Sequence, residues 1–477
     1  MNGIVKLSLH QWAPRGKRAS SAGRRGGPAL RLPSIAVLFP KGTCLASLSA
    51  LVLTALLVLP VFAAPIGVPI PRPTTAPAPV SPTTPFEAKL QEGALALNAN
   101  NPDAAKAAFM EAMKLDAKSP TPLMGLAEVA RVQNNAADYR KWLLQALDTA
   151  PQNADVQRAW GLYEFASGRF ASSETSLKKA ASLDPKSALT LVDLGDLYLQ
   201  GMHRPADAAV AYRQAIKLRP NDAAAHVGLG RAFVAVRSYR EAVPEFERAA
   251  ALMPGDPLPS TELARTYGAL GDLDKALAAY QTALTARPDF VPALLGRGDI
   301  YMERNEPARA VADFESAVKL EPKSAAAQFR LGSAYDALKR ADDAEKSYRA
   351  AIAADSKYAP AYNNLAMLAL ESKHDTAMAL DMAQRATALA PDVGAYADTM
   401  GGILLARGDL GPAIDAFRKA SASKPDNPSF YYNLGQALAR NGKKQEAIAA
   451  FRQALAVNPG FSNAAQARAR IAELGGK

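Results

Sequence analysis

Few side chains able to do chemistry occur in this 477-residue sequence, and they are scattered. The one cysteine, Cys44, leaves no thiolate pair for a zinc site and no internal disulfide framework. Of four histidines, His203, His226 and His374 lie in the main body of the chain, where an imidazole could serve as metal ligand or general base. Each stands alone, and the sequence contains no HExxH pair, no Gly-rich phosphate loop and no G-x-S-x-G elbow. All three read as solvated histidines, His203 and His374 at turns and His226 on a helix. Adjacent carboxylates such as Asp342-Asp343 diverge around a helix and read as surface charge. The expectation is a non-enzymatic chain with no metal site and no cofactor.

Charge narrows the partners. The formal charge is +11, which invites a nucleic-acid reading. Nine basic residues and no acidic one precede Glu87: Lys6, Arg15, Lys17, Arg18, Arg24, Arg25, Arg31, Lys41 and Arg72. Without them the body carries only +2, from 47 basic and 45 acidic residues. A near-neutral body releases few phosphate counterions, so no nucleic-acid partner is expected.

The basic arm reads instead as targeting. Residues 1–44 form a basic leader without order of its own, followed by the uncharged apolar run 45–64. Twenty residues at about 1.5 Å each span roughly 30 Å, the thickness of a bilayer core. Positive charge ahead of the run keeps the leader cytoplasmic and sends the rest outward. Val61-Phe62-Ala63 offers small residues at the −3 and −1 positions of a signal-peptidase site. Cleavage gives an exported protein; an uncleaved run gives a single-span membrane anchor. Residues 65–85 hold eight prolines in 21 positions and read as an extended linker.

The elements that must position any functional residue emerge from a repeat. Alanine followed five residues later by proline recurs at Ala146/Pro151, Ala180/Pro185, Ala215/Pro220, Ala249/Pro254, Ala283/Pro288 and Ala317/Pro322. The pattern continues at Ala386/Pro391, Ala420/Pro425 and Ala454/Pro459, with spacings of 34 or 35 residues around the gap at Ala351. Eleven units run from Phe86 to Phe461, with one-residue insertions in the fourth and ninth. Small residues hold the eighth position, among them Gly93, Gly195, Gly230, Gly298, Gly332 and Gly435. Aromatics return at the twenty-fourth, as Phe109, Tyr212, Phe246, Tyr280, Phe314, Tyr348, Phe417 and Phe451. Helical spacing puts positions 4, 7, 8 and 11 on one face of a first helix, and 20, 24 and 27 on one face of a second. Gly or Asn at position 15 supplies the left-handed residue ending the first helix, and Pro at 32 stops the second. Pro244, inside the fifth unit's second helix, should kink that helix or delay its start.

These residues resemble the tetratricopeptide repeat family, whose 34-residue helical hairpins carry the W-L-G-Y…A…F…A…P pattern. One departure is position 4, mostly small or aliphatic here. The resemblance implies an all-α fold: a right-handed α-solenoid of about eleven hairpins over 86–461. Residues 462–477 are expected to form a capping helix and tail. It also implies a concave groove, lined by positions 2, 5, 9, 12 and 13 of the first helices, that binds peptides or amphipathic helices. Transferred by position, the lining includes Met124, Arg158, Leu162, Phe165, Val192 and Leu199. It continues through Val227, Arg231, Val234, Arg265, Leu295, Met302, Phe329, Asn363, Met367 and Tyr432. Such an apolar strip serves equally for packing between neighbouring first helices. The expected function is a protein-binding scaffold of the cell envelope, periplasmic or anchored by residues 45–64. The alternative is a recruiting or regulatory subunit of an envelope enzyme complex in glycan synthesis or secretion.

Overall fold

The computed structural model describes residues 84–475. The leader 1–44, the apolar run 45–64 and the Pro-rich stretch up to residue 83 lie outside the described residues, as do the expectations placed on them. Among the described residues there are 23 α-helices and no strand. They form eleven hairpins and one closing helix. Unit 1 pairs Pro85–Asn98 with Pro102–Leu115, unit 5 pairs Ala223–Ala235 with Tyr239–Leu252, and unit 11 pairs Pro428–Arg440 with Lys444–Val457. Each helix packs on the next along the chain, and first helices of neighbouring units also touch. This is a repeat solenoid.

Local chemistry sets the helix ends. The residue after each second helix leaves the α region, as at Asp184 (φ −130°, ψ 86°) and Arg287 (φ −146°, ψ 99°); the proline that usually follows disfavours that region, and Asp116 and Asp355 adopt the same backbone ahead of Ala117 and Ser356. Two residues after the proline, a short polar side chain caps the next first helix. Asn153, Ser187, Asp222, Asp256, Ser324 and Asn427 each accept a hydrogen bond from an amide of the opening turn.

Between the two helices of every unit, one residue has positive φ. Seven are the expected Gly or Asn: Asn100, Asn134, Gly168, Gly271, Asn305, Gly408 and Gly442. The other four are His203, Arg237, Lys339 and His374, at φ 51°, 60°, 62° and 53°. The tight helix-to-helix turn imposes the left-handed conformation even where the sequence offers no residue that favours it.

The two insertions are absorbed differently. In unit 4 the first helix, Ala188–Asp196, continues as a π-helical turn over Leu197–Gly201, so the extra residue is taken up inside the helix. In unit 9 the helix ends at Glu371, and the extra residue enters the turn, closed by Asp375 N donating to Ala369 O at 2.9 Å. Pro244 does not delay its helix. The fifth unit's second helix starts at Tyr239, in register with the others, and carries Pro244 internally.

The rings at position 24 hold the units together. Tyr212, Phe246, Phe314, Tyr348, Phe417 and Phe451 are fully buried. On one side each meets the small residue of its own first helix: a Cβ on Gly230 would lie 2.7 Å from Phe246 Cε1, and one on Gly298 would lie 2.4 Å from Phe314 Cε1. On the other side some meet a glycine of the next unit, as Phe109 meets Gly125 and Tyr212 meets Gly228. Burying such a ring contributes roughly 1.5–3 kcal/mol. A second set of ties joins tyrosines at position 11 to the preceding unit's second helix. Tyr267 donates to Glu247 at 2.8 Å and Tyr335 to Glu315 at 2.5 Å. At the end, Ala464–Glu473 buries Ala464, Ala467 and Ile471 against Phe451, Ala454 and Phe461 of unit 11 and exposes its basic side, as a capping helix should.

Adjacent glycines in unit 10 separate packing from helix propensity. A Cβ on Gly401 would sit 2.7 Å from Phe417 Cε1, whereas one on Gly402 would meet nothing within 4 Å. Gly401→Ala should therefore destabilise by about 1–3 kcal/mol through overpacking. Gly402→Ala should stabilise by up to about 1 kcal/mol. Urea titration with hydrogen exchange checks both, with losses for Gly401→Ala concentrated in units 9 to 11.

Candidate functional site

The sixteen residues expected to line a groove fall into two groups in the structure. Leu162, Phe165, Val192, Leu199, Val227, Phe329, Asn363 and Tyr432 are buried. For these the packing use prevails: Phe329, for example, packs edge-on to Tyr358, the residue just before the next unit's first helix, at 5.6 Å between ring centroids. They expose little surface, Val192, Leu199 and Val227 only at the wall of a cavity, which corrects the expectation of an open lining built from them. Met124, Arg158, Arg231, Val234, Arg265, Leu295, Met302 and Met367 are half-buried and reach the surface.

The charged members of this second group are engaged. Arg158 pairs with Asp193 of the next unit. Arg231 donates to Glu262 through Nε at 3.1 Å and Nη2 at 2.7 Å, and Arg265 stands 3.8 Å from the same carboxylate. One pair to the right, Arg330 Nε donates to Asp299 at 2.9 Å. In each joint a residue at position 6 of one unit meets position 5 or 9 of the unit before. These pairs form a broken row that ties units 3 and 4, 5 and 6, and 7 and 8, and the half-buried apolar remainder is Met124, Val234, Leu295, Met302 and Met367.

The last joint of the row is different. Asn433 Nδ2 donates to both oxygens of Asp398, at 2.9 and 3.1 Å, and no cation faces this buried carboxylate. Burial pushes the Asp398 carboxyl up to about 7, only partly opposed by the Asn433 amide. Asp299 is also raised by burial, with Arg330 acting against the rise. Asn363 is buried with Oδ1 lacking a hydrogen-bond partner.

Position 4, read from sequence as a departure from the repeat pattern, has a task of its own. Gln157, His226, Gln328 and Tyr362 each donate to the carbonyl six residues earlier, at Pro151, Pro220, Pro322 and Ser356 respectively. That carbonyl sits in the inter-unit turn, where no helical amide reaches it. His226 is accordingly not a solvated histidine. It is buried, with Nε2 on Pro220 O at 3.0 Å and Nδ1 2.6 Å from Glu245. His203 and His374 do lie exposed in the turns of units 4 and 9.

A cavity of about 760 Å³ opens at the joints of units 4, 5 and 6, beside the π-helical turn. Val192, Leu199, Val227 and Met253 form its apolar wall, and Asp196, Asp222, Asp256, Arg219 and Arg231 its polar rim. Sequence reasoning reached only part of this lining. The inserted residue in unit 4 was the available signal, since it is what displaces Leu199 and Gln200 into the π turn.

The family model of the tetratricopeptide repeat matches residues 90–154, 197–257, 261–317, 295–359 and 399–473, well over half of the chain. The chain belongs to the tetratricopeptide repeat family. Its repeats are those of a protein–protein interaction scaffold. Over 179 residues it is 30% identical to cellulose synthase operon protein C of Xanthomonas axonopodis pv. citri (strain 306), covering 35% of this chain. That alignment spans only 12% of the relative's length. Among solved structures, a tetratricopeptide repeat protein from Parabacteroides merdae ATCC 43184 is similar at 20% identity and a TM-score of 0.44, over 53% of this chain and 99% of that one. Yeast Tom70 is similar at 15% identity and a TM-score of 0.44, over 82% of this chain and 95% of that one.

Within this tetratricopeptide array, Asp398 makes the last joint sensitive to pH. A carboxyl raised to about 7 when folded, against about 3.9 when unfolded, binds protons more tightly in the native state. Its contribution is fully present below pH 4 and is lost as pH rises toward and through 7. Asp398→Asn should therefore stabilise units 10 and 11 at pH 8, by on the order of 2–4 kcal/mol, and change little at pH 4. Denaturant unfolding of both forms across that range measures it.

Proposed function

We propose that this chain is a non-enzymatic scaffold of the bacterial cell envelope that grips a partner helix or extended peptide along its first helices. The observation that carries this reading is the half-buried apolar strip left after packing and ion pairing are satisfied: Met124, Val234, Leu295, Met302 and Met367. Unbranched methionines fit varied apolar partners because they adjust at little strain. The five residues lie on the first helices of units 2, 5, 7 and 9, which suits separate apolar anchors spread along a partner.

Placement in the envelope rests on the apolar run 45–64, on the basic residues ahead of it and on the likeness to cellulose synthase operon protein C. With the run uncut the chain is anchored in the inner membrane; with it cut at Ala63 the chain is periplasmic. The same likeness favours a second reading, in which the solenoid recruits a catalytic subunit of an envelope glycan-synthesis complex. Under that reading the co-purified partner carries a glycan-synthesis activity that the repeat protein lacks.

Crosslinking in intact cells followed by affinity capture tests the scaffold. Met302→Glu and Met367→Glu place charge on the half-buried strip, away from the position-24 rings. The pair should reduce recovery of the crosslinked partner at least tenfold, with melting temperature unchanged. Undiminished recovery removes the first-helix strip as the binding surface. A reporter fused after Lys477 and active only in the cytoplasm overturns the placement.

A further inference from the structure

We propose that the first helices of units 7 to 9 take a partner helix that carries lysine or arginine beside its apolar residues. The inference rests on reading the half-buried strip as a partner-binding surface and names the chemistry of that partner.

Three consecutive first helices end in a carboxylate. Glu303 is the last residue of Val291–Glu303, Asp336 the last but one of Ala325–Ala337, and Glu371 the last of Ala359–Glu371. The C-terminal end of a helix carries partial negative charge and favours a cation. Arg131, Arg407 and Arg440 obey that preference in the last turns of the first helices of units 2, 10 and 11. Units 7, 8 and 9 reverse it together.

Among the described residues, none of these three carboxylates has an ion pair or a side-chain hydrogen bond. Cations in the adjoining turns are committed elsewhere, Arg304 to Asp274 and Glu306, and Lys373 to Asp342 and Glu345. Partial loss of surrounding water raises all three carboxyls above their ordinary values. The Asp336 charge adds to the rise at Glu371, and Lys339 opposes it at both. A cation laid across these helix ends offsets carboxylate and carbonyl charge at once.

A buried amide on the same face points to the same guest. Asn363, Met367 and Glu371 stand four residues apart on unit 9's first helix and form one stripe. Asn363 is 0% exposed, with Nδ2 3.4 Å from Asn364 Oδ1 and 3.9 Å from Met367 Sδ. Its Oδ1 has no hydrogen-bond partner, a costly state for a buried acceptor. Only the flexible thioether of half-buried Met367 needs to move for a donor to come beside it, and lysine and arginine are donors without acceptors.

Met302 and Met367 supply the apolar half of the surface. From unit 7 to unit 9 is two steps, about 18 Å at about 9 Å per packed helix. A partner helix of about 14 residues is about 21 Å long and spans them.

Two fluorescein-labelled synthetic helices of about 14 residues provide the probes, one of leucine and lysine, the other with glutamate for each lysine. Each is titrated into the full chain at pH 8 by fluorescence polarisation. The lysine helix should bind at least tenfold more tightly than its glutamate twin. Asp336→Asn with Glu371→Gln should weaken it at least tenfold. Because both carboxyls are raised in the free chain, that pair should leave the melting temperature unchanged or higher, which separates lost binding from lost folding. Asp148→Asn with Asp289→Asn removes the same charge from exposed sites outside units 7 to 9 and should leave binding within twofold. Equal binding of the two helices overturns the proposal, as does binding of neither. Equal loss with both pairs of substitutions shows general attraction and overturns the site. A dimer in sedimentation that Asp336→Asn with Glu371→Gln dissolves makes a second copy the occupant and overturns a separate partner. So does tenfold tighter probe binding on Arg24→Glu with Arg25→Glu, which makes the chain's own basic leader the occupant. Should both helices bind equally and both be lost with Met302→Glu and Met367→Glu, the charge selection falls and the scaffold reading stands.

Discussion

A large ring pressed between small residues sets the geometry on which everything else in this array depends. Where Gly195, Gly230 or Gly435 faces the aromatic at position 24, no side chain separates the two helices, and the ring closes the space completely. Because the next unit also presents a small residue to some of these rings, one side chain fixes both the closing of a hairpin and the seat of its neighbour. The spacing of first helices follows from this contact, and so do the distances over which polar side chains can bridge them. Position 6 of one unit reaches position 5 or 9 of the one before because the rings hold the helices that close.

The polar row is therefore a consequence of the apolar one, and it changes the character of the expected groove. Arginines and carboxylates on the first helices neutralise each other across the joints, at Arg158–Asp193, Arg231–Glu262 and Asp299–Arg330. Paired in this way they give a ligand little net charge to recognise. What remains for recognition is the half-buried apolar strip and the places where the row is interrupted. At units 2, 5 and 7 position 6 is a glycine packed on the preceding unit's ring; at unit 11 it is an amide in place of a cation, leaving a carboxyl that burial raises to about 7.

Most of the fold was legible because its causes are short-range and recur. The helix ends follow from proline and from the residue it constrains, the caps from Ser, Asp and Asn two positions later, and the unit spacing from the alternation of small and aromatic residues. What the sequence did not disclose required knowing which side chains meet across a joint. Leu162 and Phe329 look alike as lining residues or as packing residues; only the approach of the neighbouring first helix decides that they are buried. His226 reads as a solvated histidine until the carbonyl of Pro220 is found beside it. Arg237 and Lys339 adopt left-handed backbone that their own side chains do not favour, since the helices on either side leave the turn no alternative.

The differences between joints bear on how such an array transmits disturbance. Contacts are confined to neighbours, so the strength of the whole is the series of its joints rather than an average over them. A joint closed by ring packing and a charged pair, such as that between units 7 and 8, has two unrelated supports. The joint between units 4 and 5 has the ring and no pair at position 6, with a helix already wound into a π turn beside it. Unit 9 takes its extra residue into the turn and keeps its first helix α-helical to Glu371, so the insertion alone does not force a π turn and the packing around each helix decides where the extra residue goes.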